Sequence, residues 1–199
     1  MEGLVELRGE RGLVLGIGGG GDSASAALIQ LWLRMLGSDA SIGGVVWERL
    51  PVDPTPGPIR LDELRPVERR GLATGWVSGS THAIRGGRSF KPQVARVAEV
   101  LGEEALAIDL WPGPVEVAES LIEVLDEGYG FIVGVDVGGD VLALGVEDDL
   151  WSPLADQVML AVLARLERRG FKALLAVHGL GVDGELTEAY LLRRLSARR

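Results

Sequence analysis

The chain has 199 residues, of which 47% are apolar, and its 29 acidic and 20 basic side chains give a net charge of −9. This length suits one sizeable domain, and the negative charge disfavours nucleic acid as a partner, because contacts to a phosphate backbone need a basic surface. No cysteine is present, and no uncharged apolar run reaches the roughly 18 residues of a membrane span, so we expect a cytoplasmic protein without disulfides, thiolate metal sites or a membrane partner.

The first third of the chain predicts a strand, a helix and a second strand. The N-terminal residues lack the basic-then-apolar pattern of a signal peptide. The apolar run 12–17 predicts a strand buried on both faces, and a helix follows it, capped by Asp22 or Ser23. Residues 41–48 predict the next strand. The four prolines within 51–59 then exclude regular structure.

The segment from about 50 to 90 is rich in proline and arginine and predicts a loop insertion. A short strand is expected within it at 71–79. Its basic residues form either a solvated face or a patch that meets a small anion through Arg85, Arg88 or Lys91.

Beyond this segment, helices and strands alternate up to the C-terminus. We expect strands at 105–109, 130–136 and 172–179, and helices at 91–102, 113–128, about 152–169 and after Thr187. Strands separated by helices favour right-handed crossovers and a parallel sheet with helices on both faces. The sequence therefore predicts a single α/β domain over 1–199 with a Rossmann-like, three-layer αβα sandwich and a mostly parallel sheet.

Three loops rich in glycine and acidic residues follow predicted strands. They run from Gly18 to Asp22, from Asp136 to Asp140 and from His178 to Glu185. The carboxyl ends of parallel strands share one edge of a sheet, and ligands bind in the crevice outside that edge. We therefore expect the three loops to converge on one site.

The first loop matches the G-x-G-x-x-G fingerprint of dinucleotide-binding proteins, although a close-packed turn explains the pattern as well. The glycines expected to contact a cofactor are Gly18, Gly19, Gly20 and Gly21. Glu48, at the end of the second predicted strand, has the place of a ribose-binding acid. Asp22 either caps the helix or contacts sugar hydroxyls or, through water, Mg²⁺. The lysine of a P-loop is missing, so P-loop phosphotransfer is not predicted.

The second loop places Asp136 and Asp140 around Gly138 and Gly139. Two neighbouring carboxylates repel each other unless a cation, an arginine or a ligand hydroxyl joins them. We therefore expect both acids to face a ligand, as catalytic groups or as ligands of Mg²⁺, and both glycines to contact it.

The third loop offers His178 and Asp183 as a general base or a substrate contact, with a structural histidine as the alternative. Serines are available at Ser23, Ser25 and Ser152, but no G-x-S-x-G elbow occurs. A serine hydrolase of that class is therefore not expected.

Four stretches of the sequence together resemble one known family. They are GIGGGGDSASA, WERLPVDPTPGPI, GVDVGGDVLALGVEDDLWSPLAD and GLGVDGELTEAYLLRRL. They resemble the uncharacterised, mainly archaeal family catalogued as domain of unknown function eleven-fifty-two. The resemblance implies a cytoplasmic protein with no established activity, in a family whose members are usually longer than this chain.

Three functions stay open from the sequence. The first is an enzyme that binds a phosphorylated or carboxylated small metabolite, or a nucleotide, at the strand ends, with Mg²⁺ as a candidate cofactor. The second is an oxidoreductase that uses NAD or FAD, as the glycine fingerprint and Glu48 suggest. The third is a non-catalytic ligand sensor or assembly module, since apolar helices and five tryptophans suit a homo-oligomer.

Overall fold

A mostly parallel sheet organises the chain in the computed structural model, which describes residues 7–151 and 153–197. The strands are β1 (Arg11–Gly16), β2 (Asp39–Val45), β3 (Leu64–Arg65), β4 (Glu68–Arg70), β5 (Thr74–Val77), β6 (His82–Arg85), β7 (Arg88–Phe90), β8 (Ala105–Ile108), β9 (Phe131–Val137) and β10 (Lys172–His178). The helices are α1 (Asp22–Met35), α2 (Gln93–Leu101), α3 (Pro114–Leu125), α4 (Leu154–Arg168) and α5 (Glu188–Ser196). The expected α/β class with a mostly parallel sheet is confirmed.

The strand order brings the first and fourth parallel strands side by side. Within the described residues, the main sheet has seven strands in the order β10-β9-β1-β2-β8-β5-β4. The first five in this order run parallel to their neighbours, whereas β5 and β4 pair antiparallel at the β8 edge. Numbered along the chain, the parallel strands therefore lie in the order 3-2-1-4-5. Strands β2 and β8 therefore lie on one side of β1, and β9 and β10 lie on its other side.

Strand β1, the middle one of the five parallel strands, is buried on both faces, as its unbroken apolar run predicts. Leu13 and Leu15 belong to a hydrophobic cluster that includes residues of α3 and α4, and Val14 belongs to a second cluster that includes residues of α1 and α2. Side chains alternate across a strand. Neighbouring residues of β1 thus anchor two different sets of helices.

The segment predicted as a loop insertion contains five short strands from Leu64 onward, of which β5 is the strand expected at 71–79, whereas 51–59 lacks strands as expected. Strands β3, β6 and β7 form a separate antiparallel sheet, and β4 and β5 extend the main one. The two-residue turn Gly86-Gly87 joins β6 to β7, with φ values of +58° and +71°. Glycine adopts such angles without a steric penalty, which is why it suits tight hairpins.

The helices lie close to their expected positions. Ser152, expected at the start of the fourth helix, lies outside the described residues, and α4 begins at Leu154. Thr187 caps α5 as predicted, because its side chain accepts a hydrogen bond from the Tyr190 amide at 3.3 Å. Among the described helices, none is long and apolar enough to cross a bilayer.

Candidate functional site

A cavity of about 430 Å³ lies at the carboxyl ends of β1 and β9. We call it the acidic cavity. Its lining is Gly18, Gly19, Gly20, Gly21, Asp22, Glu48, Arg49, Leu50, Val52, Gln93, Asp136, Val137, Asp140, Asp156 and Asp183. Each of the three glycine-acid loops contributes to this lining, and α4 adds Asp156. The structure therefore brings together most of the residues expected at one edge of the sheet, but His178, Gly138 and Gly139 do not line this cavity.

Three glycines of the first loop cannot be replaced easily, either because of their backbone angles or because a side chain would have no room. Gly19 and Gly20 have φ values of +89° and +56°, which favour glycine. A Cβ on Gly18 would lie 2.5 Å from Asp22 Oδ2 and 2.9 Å from Asp156 Oδ1. At Gly18, the backbone thus lies directly against the carboxylates of Asp22 and Asp156.

Asp22 does not cap α1, so the capping interpretation is wrong. The N-cap is Gly21, and no side chain caps this helix. Asp22 is itself the first helical residue, and its Oδ2 accepts a hydrogen bond from the Gly18 amide at 2.5 Å. The Gly20 amide donates to the Trp47 carbonyl at 2.9 Å. Two amides of the loop are therefore engaged within the protein.

Two groups of acids could each hold a cation. Oxygens of Asp22, Asp136 and Asp156, which we call the first acid group, lie within 4.8 Å of one another. Oxygens of Asp140, Asp183 and Glu185, the second acid group, lie equally close together. Four of these six residues are buried aspartates that line the cavity, and Asp183 alone is exposed. Such convergence of carboxylates is unfavourable unless protons or cations reduce the repulsion.

Two buried carboxylate oxygens at this site have no hydrogen-bond partner. They are Asp140 Oδ1 and Asp156 Oδ1. A buried acceptor without a partner costs about 1–3 kcal/mol, and more when it is charged. By contrast, Asp136 Oδ2 accepts a hydrogen bond from the Val141 amide at 3.4 Å. The lone pairs of Asp140 and Asp156 are therefore available to a ligand.

Burial and mutual repulsion raise the pKa of each of these aspartates. Burial, followed by the charge of Asp136, raises the pKa of Asp22 to about 7. Burial, followed by the charges of Glu185 and Asp183, raises the pKa of Asp140 to about 7. The pKa values of Asp136 and Asp156 are raised as well, mainly by burial. Near neutral pH, this cluster retains protons that a divalent cation would displace.

The loops after β9 and β10 are joined through Gly138. Its amide donates to the His178 carbonyl at 3.2 Å, and its own carbonyl accepts from the Gly181 amide at 2.7 Å. A Cβ on Gly138 would lie 1.8 Å from Asp183 Oδ2, and its φ is +99°. Gly139 also has a positive φ, of +124°. Glycine at position 138 thus lets the Asp183 carboxylate lie against the loop that carries Asp136 and Asp140.

His178 is not brought to the acidic cavity. Its exposed ring makes a hydrogen bond of 2.9 Å with the hydroxyl of Ser25, and His178 is absent from the cavity lining. Glu48 does line the cavity, where it accepts a hydrogen bond from the Gln93 amide at 2.5 Å. That amide lies at the first residue of α2, so Glu48 stabilises the start of this helix.

The basic residues proposed to counter an anion lie elsewhere. Arg85 is buried, and it lies 3.5 Å from Asp53 and donates to the Pro58 carbonyl at 2.9 Å. Lys91 forms an ion pair of 2.7 Å with Glu99. None of Arg85, Arg88 and Lys91 lines the acidic cavity, and Arg85 and Lys91 pair with acids outside it. The basic residue that does line it is Arg49.

Two acids of the site were not among the residues predicted to form it. Asp156 lies in the first turn of α4, on the same stripe as the buried Met159 and Leu163. An acid within an apolar helical stripe is the signal in the sequence that points to it. Glu185 belongs to the third loop, and its carboxylate accepts a hydrogen bond from the Trp151 amide at 2.7 Å.

The fold and the site define an α/β protein with a carboxylate-rich cavity at the edge where β1 and β9 end. The chain belongs to the family described as "Protein of unknown function (DUF1152)", which matches residues 13–199. The resemblance seen in the sequence is thereby confirmed. Searches of curated proteins and of solved structures gave no match.

Proposed function

We propose that the chain is an enzyme that binds a phosphorylated or carboxylated small metabolite, or a nucleotide, through a divalent cation in the acidic cavity. The observation that carries this proposal is the pair of buried, unpartnered oxygens on Asp140 and Asp156. They belong to acid groups that already gather three carboxylates each. A cation bound by either group would reduce the repulsion among its carboxylates.

We further propose that the fold is a Rossmann-like, three-layer αβα sandwich. The strand order 3-2-1-4-5 and the two hydrophobic clusters, with different helices in each, support this. In such sheets, ligands bind where the strand order reverses, outside the carboxyl ends of the strands. The acidic cavity lies at that point, between the ends of β1 and β9.

Mg²⁺ fits the ligand set best, because it takes oxygen ligands and bridges a few carboxylates to phosphate while keeping some water. Asp136 is the central residue in this proposal, since it belongs to the first acid group and also interacts with Asp140. Within the described residues, the amides of Gly19 and Gly21 make none of the backbone hydrogen bonds seen for Gly20. These amides and Arg49 are the groups placed to meet the anionic part of the ligand.

When a cation is bound by one acid group, the carboxylates of the other group are available for catalysis. A cation held by Asp22, Asp136 and Asp156 leaves Asp140, which belongs to the other acid group, to act as a general base toward the bound ligand. Asp183, expected as a base from the sequence, lies beside it in the second acid group. His178 takes no part in this proposal.

The test is thermal unfolding of the protein with Mg²⁺, Mn²⁺ or Ca²⁺, each with and without nucleotides and sugar phosphates. A ligand at about 100 times its Kd adds about 2.7 kcal/mol of stability, which raises Tm by roughly 5–10 °C in a chain of this size. Asp156→Asn should abolish the cation-dependent shift. Asp148→Asn, in an exposed loop outside the cavity, is the matched control and should keep it. A panel without any shift at millimolar concentrations would contradict the proposal.

Two other functions predict different results. A dinucleotide-dependent oxidoreductase is favoured by Glu48 in the cavity lining, and it predicts NAD binding without a cation that is lost in Glu48→Ala. However, the amide of Gly18 and one oxygen of Glu48 are already hydrogen-bonded within the protein. A non-catalytic sensor or assembly module predicts binding without turnover. The homo-oligomer expected from the sequence stays a prediction, and sedimentation of the purified protein tests it.

A further inference from the structure

A second cavity, of about 270 Å³, adjoins the acidic one. Its lining is Gly18, Gly19, Trp47, Arg49 and Trp151, and we call it the aromatic cavity. Gly18, Gly19 and Arg49 line both cavities. A ligand held by a cation in the acidic cavity would therefore have room to extend past the glycine loop toward two indole rings.

The two tryptophans differ in exposure, and both are attached to loops of the site. Trp47 is half-buried and packs against a hydrophobic cluster, and its carbonyl accepts the hydrogen bond from the Gly20 amide. Trp151 is 82% exposed, and its amide donates to Glu185. The exposed indole of Trp151 offers a flat apolar face that a ligand in this cavity can cover.

We propose that the aromatic cavity binds the base of a nucleotide, stacked on the exposed indole of Trp151, while its phosphates reach the cation in the acidic cavity. This inference rests on the proposed function and selects nucleotides among the candidate metabolites. Flat aromatic rings stack on tryptophan regardless of the identity of the base. Arg49, which lines both cavities, is placed between the base and the phosphates.

The same geometry argues against a ligand that consists of phosphate alone. Inorganic pyrophosphate with Mg²⁺ would bind in the acidic cavity and leave the indole of Trp151 in water. A nucleoside diphosphate has the same phosphate chemistry and adds a ring that covers this indole. The difference in affinity between the two ligands therefore measures what the aromatic cavity contributes.

The test is calorimetric titration of the full chain with MgADP and with magnesium pyrophosphate. Trp151→Ala should weaken MgADP binding by about tenfold or more, the loss expected for one stacking contact, and change pyrophosphate binding less than twofold. Trp151→Phe keeps a ring and should restore most of the affinity. Leu154→Ala removes an exposed apolar side chain at the start of α4 and is the matched control, with no effect on either ligand expected.

The outcomes separate this inference from the proposed function. If both ligands bind equally and Trp151→Ala changes neither, the aromatic cavity is not a base site, although the cation site stands. If pyrophosphate binding weakens as much as ADP binding in Trp151→Ala, while the variant unfolds at the same temperature as the parent, the inference is overturned as well. If neither ligand binds at millimolar concentrations with Mg²⁺ present, the inference is overturned, and the proposed function fails with it when the divalent cations alone also leave Tm unchanged.

Discussion

Gly18 is the residue at which the loop backbone lies against two carboxylates of the site at once. Alanine at this position would place its Cβ 2.5 Å from Asp22 Oδ2 and 2.9 Å from Asp156 Oδ1. The two carboxylates would have to move apart, which would disrupt the first acid group. We therefore expect Gly18→Ala to abolish the thermal shift caused by Mg²⁺, measured as the change in Tm on adding the cation.

Gly21, three residues along the same loop, provides the control. A Cβ on Gly21 would have open space around it, and its φ of −62° suits any residue. Gly21→Ala should keep the Mg²⁺ shift and change the free energy of unfolding by less than about 0.5 kcal/mol. Equal losses in both variants would mean that the loop tolerates no side chain at all, and the argument from the Gly18 contact would be wrong.

Asp156 illustrates a conflict between stability and binding at a single residue. Its carboxylate lies close to Asp136 and Asp22, and burial raises its pKa together with theirs. Asp156→Asn keeps the shape and removes the charge. We expect the variant without metal to be more stable than the parent above neutral pH, by roughly 1–3 kcal/mol in urea unfolding. A metal-free variant that is less stable than the parent would contradict the view that repulsion dominates at this position.

At the scale of elements, one buried arginine makes several of the contacts that hold the segment 51–63 against the domain. Arg85, on β6, faces Asp53 and Glu63 and donates to the carbonyls of Pro56 and Pro58. Arg85→Ala would leave the fully buried carboxylate of Asp53 without this cation. We expect a loss of about 3 kcal/mol or more in urea unfolding.

This loss of stability should leave the cation site intact, because Arg85 does not line the acidic cavity. The Mg²⁺ shift in Arg85→Ala should therefore equal that of the parent. Arg88→Ala, at an exposed position on β7, is the matched control and should change neither stability nor binding. A lost Mg²⁺ shift in Arg85→Ala, at a temperature where the variant is folded, would restore a role for this arginine in binding.

How well an element could be predicted depended on its hydrophobic pattern. Strand β1 and helix α4 have long apolar or periodic runs, and both were predicted close to their observed ends. Strand β6 was missed, because only Ala83 and Arg85 of its four residues are buried. Arg85 is buried but charged, so the sequence shows no alternation of apolar and polar residues that would indicate this strand. For the same reason, the acid Asp156 on the buried face of α4 was missed.

At the scale of the whole molecule, the strand order decides which loops meet. The sequence places glycine-acid loops after β1, β9 and β10, but it does not show that β9 lies beside β1 while β10 lies one strand further out. His178 therefore ends an edge strand and lies outside the cavity. Asp183, five residues later, reaches the cavity because its loop turns back over Gly138.

The shared burial of the acids predicts how stability depends on pH. For Asp22 and Asp140, the folded-state pKa of about 7 lies above the ordinary value of 3.8. Between these values the folded chain holds protons that the unfolded chain has released, so raising the pH favours unfolding. Without metal, this contribution to stability is present below about pH 4 and is lost as the pH rises to about 7. Urea midpoints of the parent in EDTA, measured against those of Asp156→Asn, should show the steeper fall in the parent.

Adding Mg²⁺ should reverse this dependence, because the cation binds the carboxylates in their deprotonated form. The gain in stability on adding Mg²⁺ should therefore be small near pH 5 and largest near pH 8, as protons no longer compete with the cation. Asp148→Asn should follow the parent at every pH, since its carboxylate lies outside the cavity. A Mg²⁺ effect that is constant over this range would show that the cation binds elsewhere. In that case the buried aspartates would be held neutral by their own protons, and the acidic cavity would bind its ligand without a metal.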